Sequence, residues 1–187
     1  LVRSDYDAFG DLVGALDRRD QGERYGYRNH LIERRTLATG FNFRFAWSDD
    51  GASARCLRNW GDDGIFDYRF EWDEARGWSR TTDSRGGSTD YVHDSGGRLL
   101  RTTSPENVTT SYAYTERGQL AEVAGPLGTI ARYEYDTAGR LVKTVDAMGA
   151  AHELSYDTKG RLVATRDPLG HAKQWSYDAQ GRLQRAV

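Results

Sequence analysis

Large apolar or aromatic residues alternate with small or polar ones in short runs along this chain. The clearest runs are Tyr112-Ala113-Tyr114, Tyr133-Glu134-Tyr135, Leu154-Ser155-Tyr156 and Trp175-Ser176-Tyr177. Large, small or polar, large is the alternation of a strand that turns one face inward. The same triplet reads back through Tyr91-Val92-His93, Phe70-Glu71-Trp72, Phe45-Ala46-Trp47 and Tyr25-Gly26-Tyr27, with Val92 as the exception. An aliphatic and β-branched run follows, such as Leu99-Leu100-Arg101-Thr102-Thr103 or Leu141-Val142-Lys143-Thr144-Val145, and predicts a second strand. No apolar stripe of helical spacing is long enough to predict a helix.

Between the paired strands the chain carries turn chemistry at a fixed spacing. Tyr-Asp-x-x-Gly-Arg-Leu occurs at Tyr135, Tyr156 and Tyr177, each copy 21 residues after the last. Asp-x-x-Gly predicts a tight reversal, because glycine takes positive φ at little cost and aspartate can bond its own downstream backbone. A second turn follows eleven residues after the anchor, as Asp146-Ala147-Met148-Gly149 and Asp167-Pro168-Leu169-Gly170. Gly125-Pro126-Leu127-Gly128 and Asp83-Ser84-Arg85-Gly86 are variants of it. A fixed period of this length marks a repeat array. The structural anchors are Tyr114, Tyr135, Tyr156 and Tyr177 with Gly118, Gly139, Gly160 and Gly181. Farther upstream the register passes His93, then Trp72 with its glycine slipped to Gly77, then Trp47 after an insertion, then Tyr27 and Tyr6. The expectation is one continuous all-β array of β-hairpins over 1–187, degenerate in 1–90 and regular in 91–187, with no linker. Roughly sixteen strands at about 4.8 Å spacing cannot stay flat, so a curled sheet with an inside is expected.

Composition narrows what such an array can do. With 37% hydrophobic and 12% aromatic residues, the chain is too apolar for disorder. A net charge of −2 gives no field to draw nucleic acid or an anionic membrane, and neither is expected as a partner. Basic residues are nearly all arginine, lysine occurring only at 143, 159 and 173, so Arg-Asp ladders between neighbouring turns are expected. Cys56 is the only cysteine, which rules out an intrachain disulfide or a thiolate cluster. No apolar run approaches the roughly 20 residues of a membrane helix. Leu1-Val2-Arg3-Ser4 has no signal-peptide character, and the repeat is already running by Tyr6, so a piece of a longer array is expected.

The candidate chemistry is sparse. His93 stands at an anchor position and reads as an aromatic substitute in the wall. His93-Asp94 and His152-Glu153 are strand neighbours, whose side chains point to opposite faces, which argues against a catalytic dyad within either pair. Asp62-Asp63 with Asp67 lacks the alternating oxygens and distal glutamate of a calcium loop. Asp49-Asp50-Gly51 reads as a hairpin turn. The aromatic rows can in principle stack glycans or bases, but their strict phase favours a packed ladder. No catalytic residue, cofactor or metal site is expected, and the chain is not read as an enzyme.

The Tyr-Asp-x-x-Gly-Arg-Leu spacing joined to Asp-Pro-Leu-Gly resembles the YD repeats of bacterial Rhs proteins, shared by the C components of insecticidal toxin complexes and by animal teneurins. Arg55-Cys56-Leu57-Arg58-Asn59-Trp60-Gly61-Asp62 is similar to a signature of Rhs cores, which makes Trp60 a further anchor, and Tyr27-Arg28-Asn29-His30-Leu31 is similar to a segment that precedes it there. The resemblance implies a β-cocoon shell that encloses the C-terminal toxin domain of the same parent protein, a polymorphic toxin. It implies a bacterial protein, cytoplasmic before export, then delivered by type VI secretion or a related route. A secretion spike or a chaperone would engage regions absent here, and open strand edges would self-associate. Asp167-Pro168-Leu169-Gly170 departs from the family's self-cleavage site and reads as an ordinary turn. The alternative is an extracellular recognition or adhesion module, teneurin-like, that binds glycan or protein.

Overall fold

The computed structural model describes residues 3–187. Leu1 and Val2, part of the segment searched above for a signal peptide, lie outside the described residues. The chain resolves into two compact units, one ending at Gly97 and the other running Arg98–Val187, with the boundary inside the Asp94-Ser95-Gly96-Gly97 turn.

The first unit holds nine strands: β1 (Arg3–Tyr6), β2 (Leu12–Leu16), β3 (Gly22–Arg28), β4 (Leu31–Thr36), β5 (Asn42–Trp47), β6 (Cys56–Gly61), β7 (Tyr68–Asp73), β8 (Trp78–Thr82) and β9 (Ser88–His93). Each pairs antiparallel with the next. The only helical turns among the described residues are two short 3-10 pieces, Asp62–Gly64 and Glu74–Arg76.

The second unit repeats the plan with β10 (Leu99–Thr103), β11 (Thr109–Tyr114), β12 (Leu120–Gly125), β13 (Gly128–Tyr135), β14 (Leu141–Asp146), β15 (Ala151–Tyr156), β16 (Leu162–Arg166), β17 (Ala172–Tyr177) and β18 (Leu183–Ala186). These again pair in sequence order, all antiparallel. The predicted all-β hairpin array is what the chain forms.

The turns follow the aspartate chemistry closely. At Asp136 the Gly139 N–H donates to the Asp136 carbonyl and the Asp136 N–H to the Arg140 carbonyl, both at 2.9 Å. The Asp136 carboxylate accepts from the N–H groups of Ala138 and Arg140, both at 2.9 Å. This is a short hairpin loop with glycine in the left-handed position. The anchor glycines Gly118, Gly139, Gly160 and Gly181 have φ of +79°, +83°, +82° and +86°. Where the sequence lacks the glycine, Asp20 and Asn107 take the left-handed position at φ +57° and +59°. Short polar side chains tolerate it best.

The strand face expected to be buried is only half-buried. Tyr112, Tyr133, Leu154 and Trp175 are all intermediate in exposure, and among the described residues Leu16, at 4%, is the only buried large hydrophobic. Each strand's close contacts within a unit run to its sequence neighbours, so the aromatic rows are shielded from the side and not from above. The alternation itself is intact. In β13 it runs from exposed Ile130, Arg132 and Glu134 to half-buried Ala131, Tyr133 and Tyr135.

Candidate functional site

The part of this chain that does defined work is a spine along the Asp-x-x-Gly-Arg edge of the second unit. Each anchor tyrosine donates its hydroxyl to the carbonyl of the leucine in the preceding unit. Tyr114 reaches Leu99 at 2.8 Å, Tyr135 reaches Leu120 at 2.9 Å, Tyr156 reaches Leu141 at 3.0 Å and Tyr177 reaches Leu162 at 2.9 Å. The reason lies in the ladder. Between β14 and β15 the backbone pairing ends at Lys143 opposite Glu153, two residues short of Leu141. The phenol bonds a carbonyl that the ladder no longer serves, and a polar backbone group left half-buried without a partner is costly.

The geometry that brings the tyrosine there is a β-bulge. Partner register slips between Ala113 and Tyr114, Glu134 and Tyr135, Ser155 and Tyr156, and Ser176 and Tyr177. Three hairpins of the first unit slip at the same point, before Tyr6, Tyr27 and Trp47. One extra residue on the outgoing strand bends it and increases its twist. In the first unit the indole N–H groups of Trp47 and Trp72 replace the phenol, reaching the carbonyls of Ile32 at 2.8 Å and Cys56 at 3.1 Å.

Arginine completes the spine. Arg140 and Arg161 each bond the aspartate of their own turn, through Nε at 2.7 Å in both cases. The other end of each guanidinium crosses to the next turn, where it donates to a backbone carbonyl, that of Asp157 at 3.1 Å or Asp178 at 3.3 Å. On the way it lies over the next anchor ring, 4.9 Å from the centre of Tyr156 and 4.7 Å from that of Tyr177. Arg98 lies over Tyr114 in the same way, at 5.4 Å. At these turns of the second unit the carboxylate pairing is internal to each turn, and the link between turns is guanidinium to carbonyl and to ring. In the first unit the expected guanidinium–carboxylate pairs do cross between turns, Arg28 to Asp50 at 3.3 Å and Arg55 to Glu74. Where Gln119 replaces arginine, its amide donates to the Gly139 carbonyl at 2.7 Å, and Arg117 donates to the Thr137 carbonyl at 2.5 Å.

The turn aspartates are held below the usual carboxylate range. For Asp136, Asp157 and Asp178 the main cause is the N–H of the arginine that closes the turn, aided by the same residue's guanidinium. Each sits in a small cage of donors that stabilises the charged form.

The remaining candidates form no single cluster, although Arg58 joins two of them, Trp60 and Asp67. Trp60, on β6, has the Arg58 guanidinium 4.6 Å from its ring centre. Asp62 accepts from Arg44 at 2.7 Å and from Asn42, while Asp67 accepts from Arg58 at 2.8 Å, so the acidic cluster is divided between two separate cation partners. His93 donates its backbone N–H to the Gly77 carbonyl at 2.7 Å. His152 is exposed on β15. His171 and His30 each meet a carboxylate at 2.9 Å, those of Asp167 and Asp11. Asp11 holds the His30 imidazole above its ordinary range. Burial pushes the Cys56 thiol up. Sequence spacing found the anchors and their glycines. It missed the leucine carbonyls that the anchors serve, because a backbone acceptor leaves no residue-type signal.

With this geometry in place, comparison with known families gives the class. The RHS repeat family model matches residues 93–130, 114–151 and 156–187, the stretch in which the spine is regular. This stretch is built of RHS repeats, the YD repeat of the Rhs family. A comparison with curated proteins finds no match. Among solved structures, the chain is similar to TcdB2-TccC3 without its hypervariable C-terminal region, at 15% identity and a TM-score of 0.46, over 99% of this chain and 14% of that one. It is also similar to a chain of the Photorhabdus luminescens Tc holotoxin pore, at 15% identity and a TM-score of 0.46, over 100% of this chain and 14% of that one.

Proposed function

We propose that this chain is a wall segment of an Rhs-type polymorphic toxin, part of a shell that encloses the C-terminal toxin of the same parent protein. The observation that supports this reading is the spine. It joins each unit to the next through hydroxyl, guanidinium and backbone, and it uses its polar side chains for that purpose. A repeat that spends its tyrosine, aspartate and arginine on lateral contacts is a building element. The aromatic rows, half-buried on one face of each strand, give the wall a face distinct from its polar side. On this reading the segment has no catalytic turnover of its own. The parent is exported by type VI secretion or a related route, with the spike or chaperone engaging other regions.

The test is protease protection of the toxin in the full-length parent. An intact wall shields the toxin from an added protease. Replacing Tyr135, Tyr156 and Tyr177 together by alanine opens the wall and shortens the toxin's survival, with the fold checked by circular dichroism. Equal digestion of the toxin in the intact parent and as a free domain refutes enclosure.

A further inference from the structure

The spine lacks its guanidinium at the first hairpin. Tyr6-Asp7-Ala8-Phe9-Gly10-Asp11-Leu12 matches the Tyr-Asp-x-x-Gly-Arg-Leu unit at every defined position but one: Asp11 stands where the regular units carry arginine. The turn itself is regular. The Gly10 N–H donates to the Asp7 carbonyl at 3.2 Å, and Asp7 Oδ1 accepts from the N–H groups of Phe9 at 2.8 Å and Asp11 at 2.9 Å. In the second unit the other oxygen of the turn aspartate receives the arginine Nε at 2.7 Å, and the same guanidinium lies over the following anchor ring. At the first hairpin Asp7 Oδ2 has no donor among the described residues.

The place of the missing group is open. A cavity of about 330 Å³ is lined by Asp7, Phe9 and Asp11 of this turn and by Tyr27, Asn29 and His30 at the β3–β4 turn. Tyr27 is the following anchor, the ring that a spine arginine would cover. Burial first, then the charges of Asp11 and Asp7, push its phenol above the ordinary value. The Asp11 side chain is only 16% exposed, and His30 Nδ1 meets its Oδ1 at 2.9 Å. The His30 ring also packs edge to face on Phe9, with centres 6.5 Å apart. Of the four carboxylate oxygens, the two Oδ2 atoms remain without a donor among the described residues.

We infer that this cavity binds a guanidinium group supplied from outside the chain, an arginine side chain set against the Tyr27 ring and bonded to Asp7 and Asp11. Two carboxylates alone would name no ligand. The array names it, because the equivalent space in the second unit holds a guanidinium between turn aspartate and anchor ring. A guanidinium donates to carboxylates through a planar fork and stacks on aromatic faces, whereas an ammonium is a point charge. An anion would be repelled by Asp7 and Asp11, and a neutral ligand would leave their charge unmatched. Among the described residues no trio of His, Cys, Asp or Glu is arranged to hold a metal ion. Occupied or empty, the cavity leaves the wall reading as it stands.

The experiment is NMR titration of the 187-residue chain with N-acetyl-arginine methylamide, the group as a polypeptide presents it. Blocked lysine keeps the charge without the fork, and blocked citrulline keeps the shape without the charge. The expected result is saturable binding with a Kd of about 1 mM, the Phe9 and His30 amide signals shifting most. Blocked lysine should bind about fivefold more weakly and citrulline not at all. Free arginine separates the two sources of the group: weaker binding than the blocked form points to a polypeptide, tighter binding to the amino acid, and both support the site. Asp11→Arg puts back the spine residue and should abolish binding, while Asp11→Asn should weaken it about tenfold. Should Asp11→Arg fail to fold, Asp11→Asn and Phe9→Ala, the latter at a ring that is 80% exposed, carry the test. Absence of saturable binding, lysine or citrulline binding as tightly as arginine, or binding untouched by these substitutions in a folded chain would overturn the assignment.

Discussion

The hydroxyl of Tyr156 donates to the carbonyl of Leu141 at 3.0 Å, across one strand boundary and fifteen residues back along the chain. This bond takes over where the β14–β15 ladder stops. Its loss leaves the carbonyl half-shielded and without its donor. Tyr156→Phe is expected to destabilise by about 0.5–1.5 kcal/mol, the usual net worth of one hydrogen bond. Tyr112→Phe, at a half-buried tyrosine of β11 with no side-chain hydrogen bond among the described residues, serves as the control and is expected to change little. Urea unfolding of both variants decides it, and equal midpoints would remove the bond from the account.

Glycine substitutions should separate by backbone conformation. Gly160 has φ +82°, with only the Arg140 guanidinium near its missing Cβ, at 3.5 Å. Strain, not crowding, is therefore the cost of Gly160→Ala, and a loss of about 1 kcal/mol or more is expected. Gly26, in β3, lacks positive φ, and its nearest neighbour is Arg34 Cβ at 3.9 Å. Gly26→Ala is expected to be neutral or to stabilise by up to about 1 kcal/mol, through the unfolded chain. Thermal unfolding that ranks the two the other way would contradict the turn assignment.

Acid should loosen the spine. Asp157 titrates below the usual aspartate range in the folded chain, chiefly because it accepts the Arg161 N–H. A depressed carboxylate contributes stability that is complete above the unfolded value of about 4 and is lost as pH falls through the lower folded value. Asp136 and Asp178 add to the same trend. Melting temperatures should therefore fall with pH below about 4, and Asp157→Asn should flatten that slope. His30, raised by Asp11, acts in the opposite sense: its contribution is complete below about 6.5 and is lost as pH rises through the folded value. A slope unaltered in Asp157→Asn would show that the turn carboxylate is not its source.

On the proposed wall role, the chain is expected to turn nothing over. Nuclease, protease and glycosidase substrates are expected to survive incubation with the chain, and His93→Ala should make no difference. Hydrolysis that disappears with that substitution would make the segment an enzyme.

How much of this was legible in the sequence depends on which atoms do the work. The Asp-x-x-Gly turns were, because aspartate and glycine are chosen for backbone reasons that hold locally. Gly139, Gly160 and Gly181 adopt the positive φ their positions demand. The aromatic alternation located the strands, but it overstated burial, since period-two patterning reports which face is apolar and says nothing of what covers it. The arginine ladder was half legible: the pairing of Arg161 with Asp157 follows from their spacing, whereas its reach to the Asp178 carbonyl has no residue code.

The tyrosine-to-leucine bond also bears on how such a chain can change length. Its reach is fixed at fifteen residues within a period of 21, so every unit meets its predecessor through the same few atoms. Duplication or loss of one whole period inside the regular stretch leaves each donor facing an equivalent acceptor. An insertion of any other length puts a phenol opposite the wrong backbone group and shifts a guanidinium off its ring. Unequal crossing-over between repeats is then a tolerated event, while small indels within strands are purged. The array can therefore grow or shrink in genetic quanta of one period.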